Sequence, residues 1–269
     1  MTVSEARPRI YVALPHRPGE QISFHLHRAL KPHFLGDVDV EECPPLPCSM
    51  LPLSFNMMWA DAYNKRKQLG LTHFCMVHSD VAPLDQGWLR MLYDEHCRVG
   101  ADITSSVIAL KDERGQSSTA VMNVNTREMR KLTLQECHNV GKKTFNINDL
   151  GFAGHCLLLN TGCWICDFTN PTWLRKMCFR FHDHIIYDES SDSMRAACVG
   201  EDWLFSIDAY RLGLKTFATT ALVIEHQGVY QYPNIGGWGS QEKDVSFGWN
   251  IEPPVGWNWI ESPKLESKP

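Results

Sequence analysis

Residues 72–80 read Thr-His-Phe-Cys-Met-Val-His-Ser-Asp, a short apolar run that breaks off in three polar side chains. Its length and apolar interior predict a buried strand, and that strand delivers Asp80 to its carboxyl end. In open α/β sheets ligands bind beyond the carboxyl ends of the strands, where loops project polar groups into a crevice. Val81-Ala-Pro83 marks the boundary, because proline lacks the amide donor that a ladder needs. The same residues also suit a plainer role, with Asp80 or Asp85 capping the free backbone donors of a following helix.

Strand-like and helix-like segments alternate around this run. Residues 9–14 are apolar and β-prone and lead into Pro15-His-Arg-Pro-Gly19; helical spacing follows at Ile22, Leu26, Ala29 and Leu30, with Pro32 as its stop. Residues 37–41 read as a second strand, after which Ser54 is expected to cap a helix carrying Met58, Ala62 and Leu69 and ended by Gly70. A helix is predicted over 85–98 and a strand over 101–110. Such alternation implies a largely parallel, right-handed sheet flanked by helices. Residues 120–152 give no clear pattern and are assigned to substrate-specific insertions. Beyond them, 154–160 reads as a strand and 200–213 as a helix opened by Glu201 and Asp202 and stopped by glycine. Residues 214–218 and 221–224 are the last strands, the latter running into Glu225-His226. One α/β domain over 1–228 results, with 229–269, rich in glycine and tryptophan, as a lid or tail of the same domain.

The chain of 269 residues carries a formal charge of -5, so no basic field advertises a nucleic-acid or membrane partner. Residues 1–8 are polar and no apolar stretch approaches the roughly 20 residues that cross a bilayer, which predicts a cytoplasmic protein. Cysteines scattered through apolar segments read as buried small hydrophobes rather than disulfide partners. Cys163-Trp-Ile-Cys166 has the spacing of a zinc knuckle, for which Cys43 with Cys48 or His182-Asp-His184 could supply the other half. Its apolar-aromatic surroundings favour packing instead, and His182 and His184 are expected at the surface.

Three element ends thus expose polar groups: His78-Ser79-Asp80, Glu201-Asp202 and Glu225-His226. A divalent ion that holds a diphosphate takes few protein ligands, mostly carboxylate, and Mn²⁺ also accepts imidazole. Asp80 and His226 fit such an ion, leaving Asp202 free to take a proton; dipole complementarity at a helix start is the bland account of Glu201 and Asp202.

At these positions the chain resembles the GT-A class of nucleotide-sugar glycosyltransferases, especially the family-2-like enzymes. That class ends a strand in a D-x-D-type motif followed by a small residue and proline, comparable to Met76-Val-His-Ser-Asp-Val-Ala-Pro83. It continues with a glycine-containing apolar strand, comparable to 154–160, and a Glu-Asp helix start with a later Arg-x-x-Gly, comparable to 200–205 and 211–213. A final strand ends in His, comparable to Val223-Ile-Glu-His226, and the agreement runs from about Arg9 to Gly228.

The resemblance implies a GT-A catalytic domain over 1–228 with a Rossmann-like, mixed, mostly parallel sheet. It also implies transfer of a hexose or pentose from a nucleoside diphosphate, UDP by preference, to a hydroxyl acceptor, with Mn²⁺ or Mg²⁺. Asp80 and His226 would ligate the metal, and Asp202 would be the base, with Glu201 raising its proton affinity and direct displacement giving inversion. Pro15, His16 and Arg17 match the nucleotide-binding region, Asn64 and Arg66 a donor-binding pair, and His78 and Ser79 the rest of the donor motif. His78 departs from the pattern, standing where the class has its first Asp; it contacts ribose or metal-bound water, or it packs. Two other readings compete, a nucleotidyltransferase acting on a sugar phosphate and a non-catalytic nucleotide- or carbohydrate-binding module. The acceptor class is left open.

Overall fold

The structure, a computed structural model, describes residues 7–16, 19, 21–44, 48–244 and 247–248. In chain order these form β1 (Arg9–Ala13), α1 (Phe24–Ala29), α2 (Pro32–Leu35), β2 (Asp39–Glu42), α3 (Leu51–Leu69), β3 (His73–Val77), β4 (Val81–Pro83) and α4 (Trp88–Val99). There follow β5 (Ile103–Ser106), β6 (Gln116–Asn123), β7 (Glu128–Thr133), α5 (Leu134–His138), β8 (Thr144–Phe145), β9 (His155–Leu158) and β10 (Cys163–Asp167). The remaining elements are α6 (Pro171–Leu174), β11 (His182–Asp188), β12 (Ser193–Val199), α7 (Glu201–Arg211), β13 (Thr216–Thr219), β14 (Ile224–Gln227), β15 (Gln231–Pro233) and β16 (Phe247–Gly248).

These elements make a mixed α/β fold around a seven-stranded sheet ordered β2-β1-β3-β10-β5-β13-β8. β1, β2, β3, β5 and β13 run one way, and β10 and β8 run against them. From β1 the chain crosses to β2 on one side and then returns to β3 on the other, so strand order reverses between β1 and β3. Such a reversal opens a crevice beyond the carboxyl ends of the two strands. A smaller sheet, β15-β14-β4, continues from β3 and ties the 78–83 segment to β14.

Because side chains alternate along a strand, the sheet carries a core on each face. Tyr11, Phe74, Met76, Trp164 and Cys166 pack on one side under α3, which buries Phe55, Met58, Trp59 and Ala62 at helical spacing. Ile10, Val12, Cys75, Val77, Cys163 and Ile165 pack on the other with Trp88, Leu89 and Leu92 of α4. Cys163 and Cys166 are both buried yet face opposite sides, so they share no ion and the zinc-knuckle reading fails.

Several boundaries differ from expectation for physical reasons. α3 starts at Leu51 with Pro52 in its first turn, where a missing amide costs nothing, so Ser54 is not its cap but a buried first-turn residue. Pro32 opens α2 for the same reason instead of merely stopping α1. Asp85 does not cap α4, whose N-cap is Gly87; its carboxylate accepts from the Val223 amide at 2.7 Å. Residues 120–152, patternless in the sequence, include the end of β6, all of β7, the Thr133–Glu136 capping box of α5, and β8. His182 is buried in β11, against the expected surface position, and the His184 side chain lies outside the described residues.

The segment after Gly228 belongs to the body as far as it is described. Tyr232 is buried, and Asn234 is held by the Ile224 amide and by the carbonyls of Val107 and Leu222. Residues 245–246 and 249–269, most of the expected lid, lie outside the described residues. Among the described residues no helix is long and apolar enough to cross a membrane.

Candidate functional site

A cleft of about 390 Å³ occupies the switch point. Its walls are Pro15 and His16 after β1, His78, Ser79 and Asp80 after β3, residues 48, 49, 51 and 54 around the start of α3, and Lys111 and Gln227. Five of the residues expected around the donor are thereby brought together from two strand ends. Arg17 lies outside the described residues.

Backbone hydrogen bonds fix the turn that carries Asp80. The His78 amide donates to Gly162 O at 2.8 Å, Val81 N to His78 O at 3.1 Å, and Gln227 N to Asp80 O at 2.7 Å. Asp80 Oδ2 then meets Lys111 Nζ at 2.6 Å and His226 Nε2 at 3.5 Å, so the helix-cap reading of Asp80 falls away. Partial burial opposes the Asp80 charge, but hydrogen bonds from His226 and Lys111 overcome it and hold the carboxyl far below the usual carboxylate range.

The orientation of His226 follows from its other nitrogen. Nδ1 lies 2.7 Å from Ala109 O, and a carbonyl only accepts, so Nδ1 carries a proton there. Nε2 can therefore donate to Asp80 Oδ2 only when the ring carries a second proton; in the neutral ring it turns a lone pair toward that oxygen, and two acceptors face each other. Either a proton on Nε2 or a cation between the two groups satisfies both. A carbonyl that orients the far nitrogen is also how metal-binding histidines are commonly held. Among the described residues, no group of three or more His, Cys, Asp or Glu side chains is arranged for a metal, so an ion here would complete its shell from ligand and water.

His78 lines the cleft with its ring 4.9 Å from that of Phe55, so it both packs and faces the site. Asn64 and Arg66 are not brought to the cleft. Leu51 of the same helix lines it, and at 1.5 Å per residue Asn64 lies about 20 Å further along the axis and Arg66 about 22 Å. The Arg66 guanidinium instead stacks on Tyr63 at 3.5 Å.

Glu201 and Asp202 open α7 at the same edge of the sheet without lining the cleft. Glu201 lies beside Thr161, and the next residue, Gly162, is the one that accepts from His78. Gly200 lets the chain turn tightly here: a Cβ would lie 2.8 Å from Asp202 Oδ1, which accepts from the Trp203 amide at 2.7 Å. Burial, then the neighbouring Glu201 charge, push the Asp202 carboxyl up to about 7. Burial also raises Glu201. Lys111, Gln227, Ser49 and Ser54 were missed as cleft residues. The signal for the first two was adjacency alone: Lys111 directly follows the β-prone run 101–110, and Gln227 follows Glu225-His226.

No protein-family model matches the chain, and no curated protein matches it. Among solved structures it is similar to A197 from STIV, at 12% identity and a TM-score of 0.47, over 90% of this chain and 95% of that one.

Proposed function

We propose that the protein is a GT-A, family-2-like glycosyltransferase that moves a hexose or pentose from a nucleoside diphosphate, UDP by preference, to a hydroxyl acceptor with Mn²⁺ or Mg²⁺. The observation that carries this reading is the facing pair Asp80 Oδ2 and His226 Nε2, 3.5 Å apart in a cleft at the sheet's switch point. A carboxylate and an oriented imidazole suit a borderline ion such as Mn²⁺ that leaves positions for phosphate oxygens. The sheet is mixed rather than mostly parallel, with three of its six strand pairings parallel and three antiparallel, and the position of the cleft beyond β1 and β3 is what supports the resemblance drawn from the sequence.

In this reading Pro15 and His16 border the nucleotide, Ser79 and His78 the ribose and diphosphate, and Asp80 with His226 would hold the ion. When bound there, the ion would supply positive charge against the leaving diphosphate. Asp202 takes the acceptor proton; a carboxyl at about 7 is half deprotonated near neutrality and basic enough to accept it. Glu201 keeps that affinity high by like-charge proximity. Attack from the face opposite the leaving group would invert the anomeric centre. Residues 1–228 act as the catalytic unit, with the packed 229–244 segment completing it.

The test is donor hydrolysis and transfer assayed beside UDP–Mn²⁺ binding in wild type and Asp202→Asn. Binding kept with turnover lost supports the transferase. Equal turnover in both proteins removes Asp202 as base, and binding without turnover in wild type favours a non-catalytic module.

A further inference from the structure

We propose that Lys111 is a displaceable counter-ion: it holds Asp80 while the cleft is empty and moves onto the donor's diphosphate when metal enters, coupling metal and diphosphate binding. The proposal rests on the diphosphate reading of the cleft. Three observations carry it. The Lys111 ammonium sits 2.6 Å from Asp80 Oδ2, the same oxygen that His226 Nε2 faces at 3.5 Å. A metal bridging Asp80 and His226 would therefore share one oxygen with a second cation, and like charges that close repel. Lys111 also lines the cleft, so the place it would vacate and the place it would go are in one cavity.

The stem has a seat that permits the movement. A Cβ at Gly228 would meet Lys111 Cδ at 3.1 Å and Tyr232 Cε2 at 3.2 Å, so glycine leaves the slot in which the stem lies. The side chains of Lys111 and Asp80 are 37% and 36% exposed, which keeps the ammonium hydrated and free to pivot. Lysine suits this exchange: it is a compact point charge on a flexible stem and a good phosphate ligand without fixed geometry. The other ionisable groups here are His226, held by Ala109 O, and His16 and His78, which line the same cleft.

In the empty protein Asp80 is already neutralised, so metal alone binds weakly. A diphosphate draws Lys111 away and adds its own oxygens, so metal then binds tightly. By linkage, metal tightens the diphosphate by the same factor.

The experiment measures Mn²⁺ affinity by the loss of its free-ion paramagnetic resonance signal, alone and with inorganic pyrophosphate or UDP, in wild type, Lys111→Met and Lys111→Arg. Folding of each variant is checked by its thermal melt. Lys111→Met should bind Mn²⁺ alone about tenfold or more tighter and bind pyrophosphate without metal about tenfold more weakly, so the coupling factor falls. Lys111→Arg, which keeps the charge, should resemble wild type in metal affinity. Unchanged or weaker Mn²⁺ binding in Lys111→Met overturns the counter-ion role and leaves the diphosphate reading standing. Failure of wild type to bind pyrophosphate or UDP with Mn²⁺ overturns both, and the two failures are therefore distinguishable.

Discussion

Asp80 and Asp202 are carboxylates driven in opposite directions by what surrounds them. His226 and Lys111 hold Asp80 ionised against its burial, whereas burial and Glu201 bring Asp202 to about 7. Environments that separate two carboxylates in this way divide charge-holding from proton transfer. Asp202→Asn should lower turnover by about 10² to 10⁴, the usual range for losing a general base, with UDP–Mn²⁺ binding unchanged by calorimetry. Glu201→Gln removes the like charge, so the acidic limb of the kcat/KM profile should move to lower pH; a stationary limb would contradict the pairing. Two buried histidines contribute to the acid response of the fold. Burial lowers His73 to about 4 and lowers His96, next to His73, to about 3. The unfolded chain takes up both protons near pH 6.5 while the folded chain does not, so stability falls as pH drops from 6.5 toward 4, by up to roughly 2 kcal/mol per group at pH 5. Asp202 works the other way, since its folded proton is held up to about 7 and stability gains as pH falls. Melts between pH 5 and 6.5, above ordinary carboxylate titration, should show the histidine loss, and it should be steeper by one proton in Asp202→Asn.

At the scale of elements, the 229–244 segment is pinned by two glycines. A Cβ on Gly115, whose φ is +69°, would strike Trp238 O and the Gln241 side chain, while Gly239 is pressed on the Gly115 backbone. Gly115→Ala should cost more than the ~1 kcal/mol of an ordinary backbone mismatch, read as a lower urea midpoint. In the core, Trp164 is buried against Trp59, Phe74, Phe179 and Phe205, and Trp164→Ala should cost about 3–5 kcal/mol. The legible elements were those whose patterns are strong by themselves: the apolar runs of β1 and β3, the amphipathic α4, and α7 between its acidic start and Gly213. β6 was obscured because it buries Ser117, Ser118 and Thr119, polar to any hydropathy reading but satisfied in place, as when Ser117 Oγ donates to Leu132 O at 2.9 Å. Asp80 and His226 could be paired from the sequence because each ends a strand pattern. Lys111 could not, since its partner is 31 residues away and no local period encodes that contact. Asn64 and Arg66, expected beside a donor, do not line the cleft for the converse reason: their helix starts at the cleft, and its rise carries them away from it.

For the whole molecule, topology is what gathers the site. The order β2-β1-β3 puts the carboxyl ends of β1 and β3 side by side, and the β4–β14 pairing brings His226 against Asp80 across most of the chain length. Nothing local to either residue would do this. In the proposed reading this one cleft binds a nucleoside diphosphate through a metal held by Asp80 and His226. Its most direct test is the thermal stability of the wild-type protein with UDP, GDP, ADP and CDP, each with and without Mn²⁺, repeated for Asp80→Asn. At least one nucleotide, UDP by preference, should raise the melting temperature only when Mn²⁺ is present, and Asp80→Asn should abolish the rise. No stabilisation by any of the four with Mn²⁺ present, or an equal rise in Asp80→Asn, would contradict that reading.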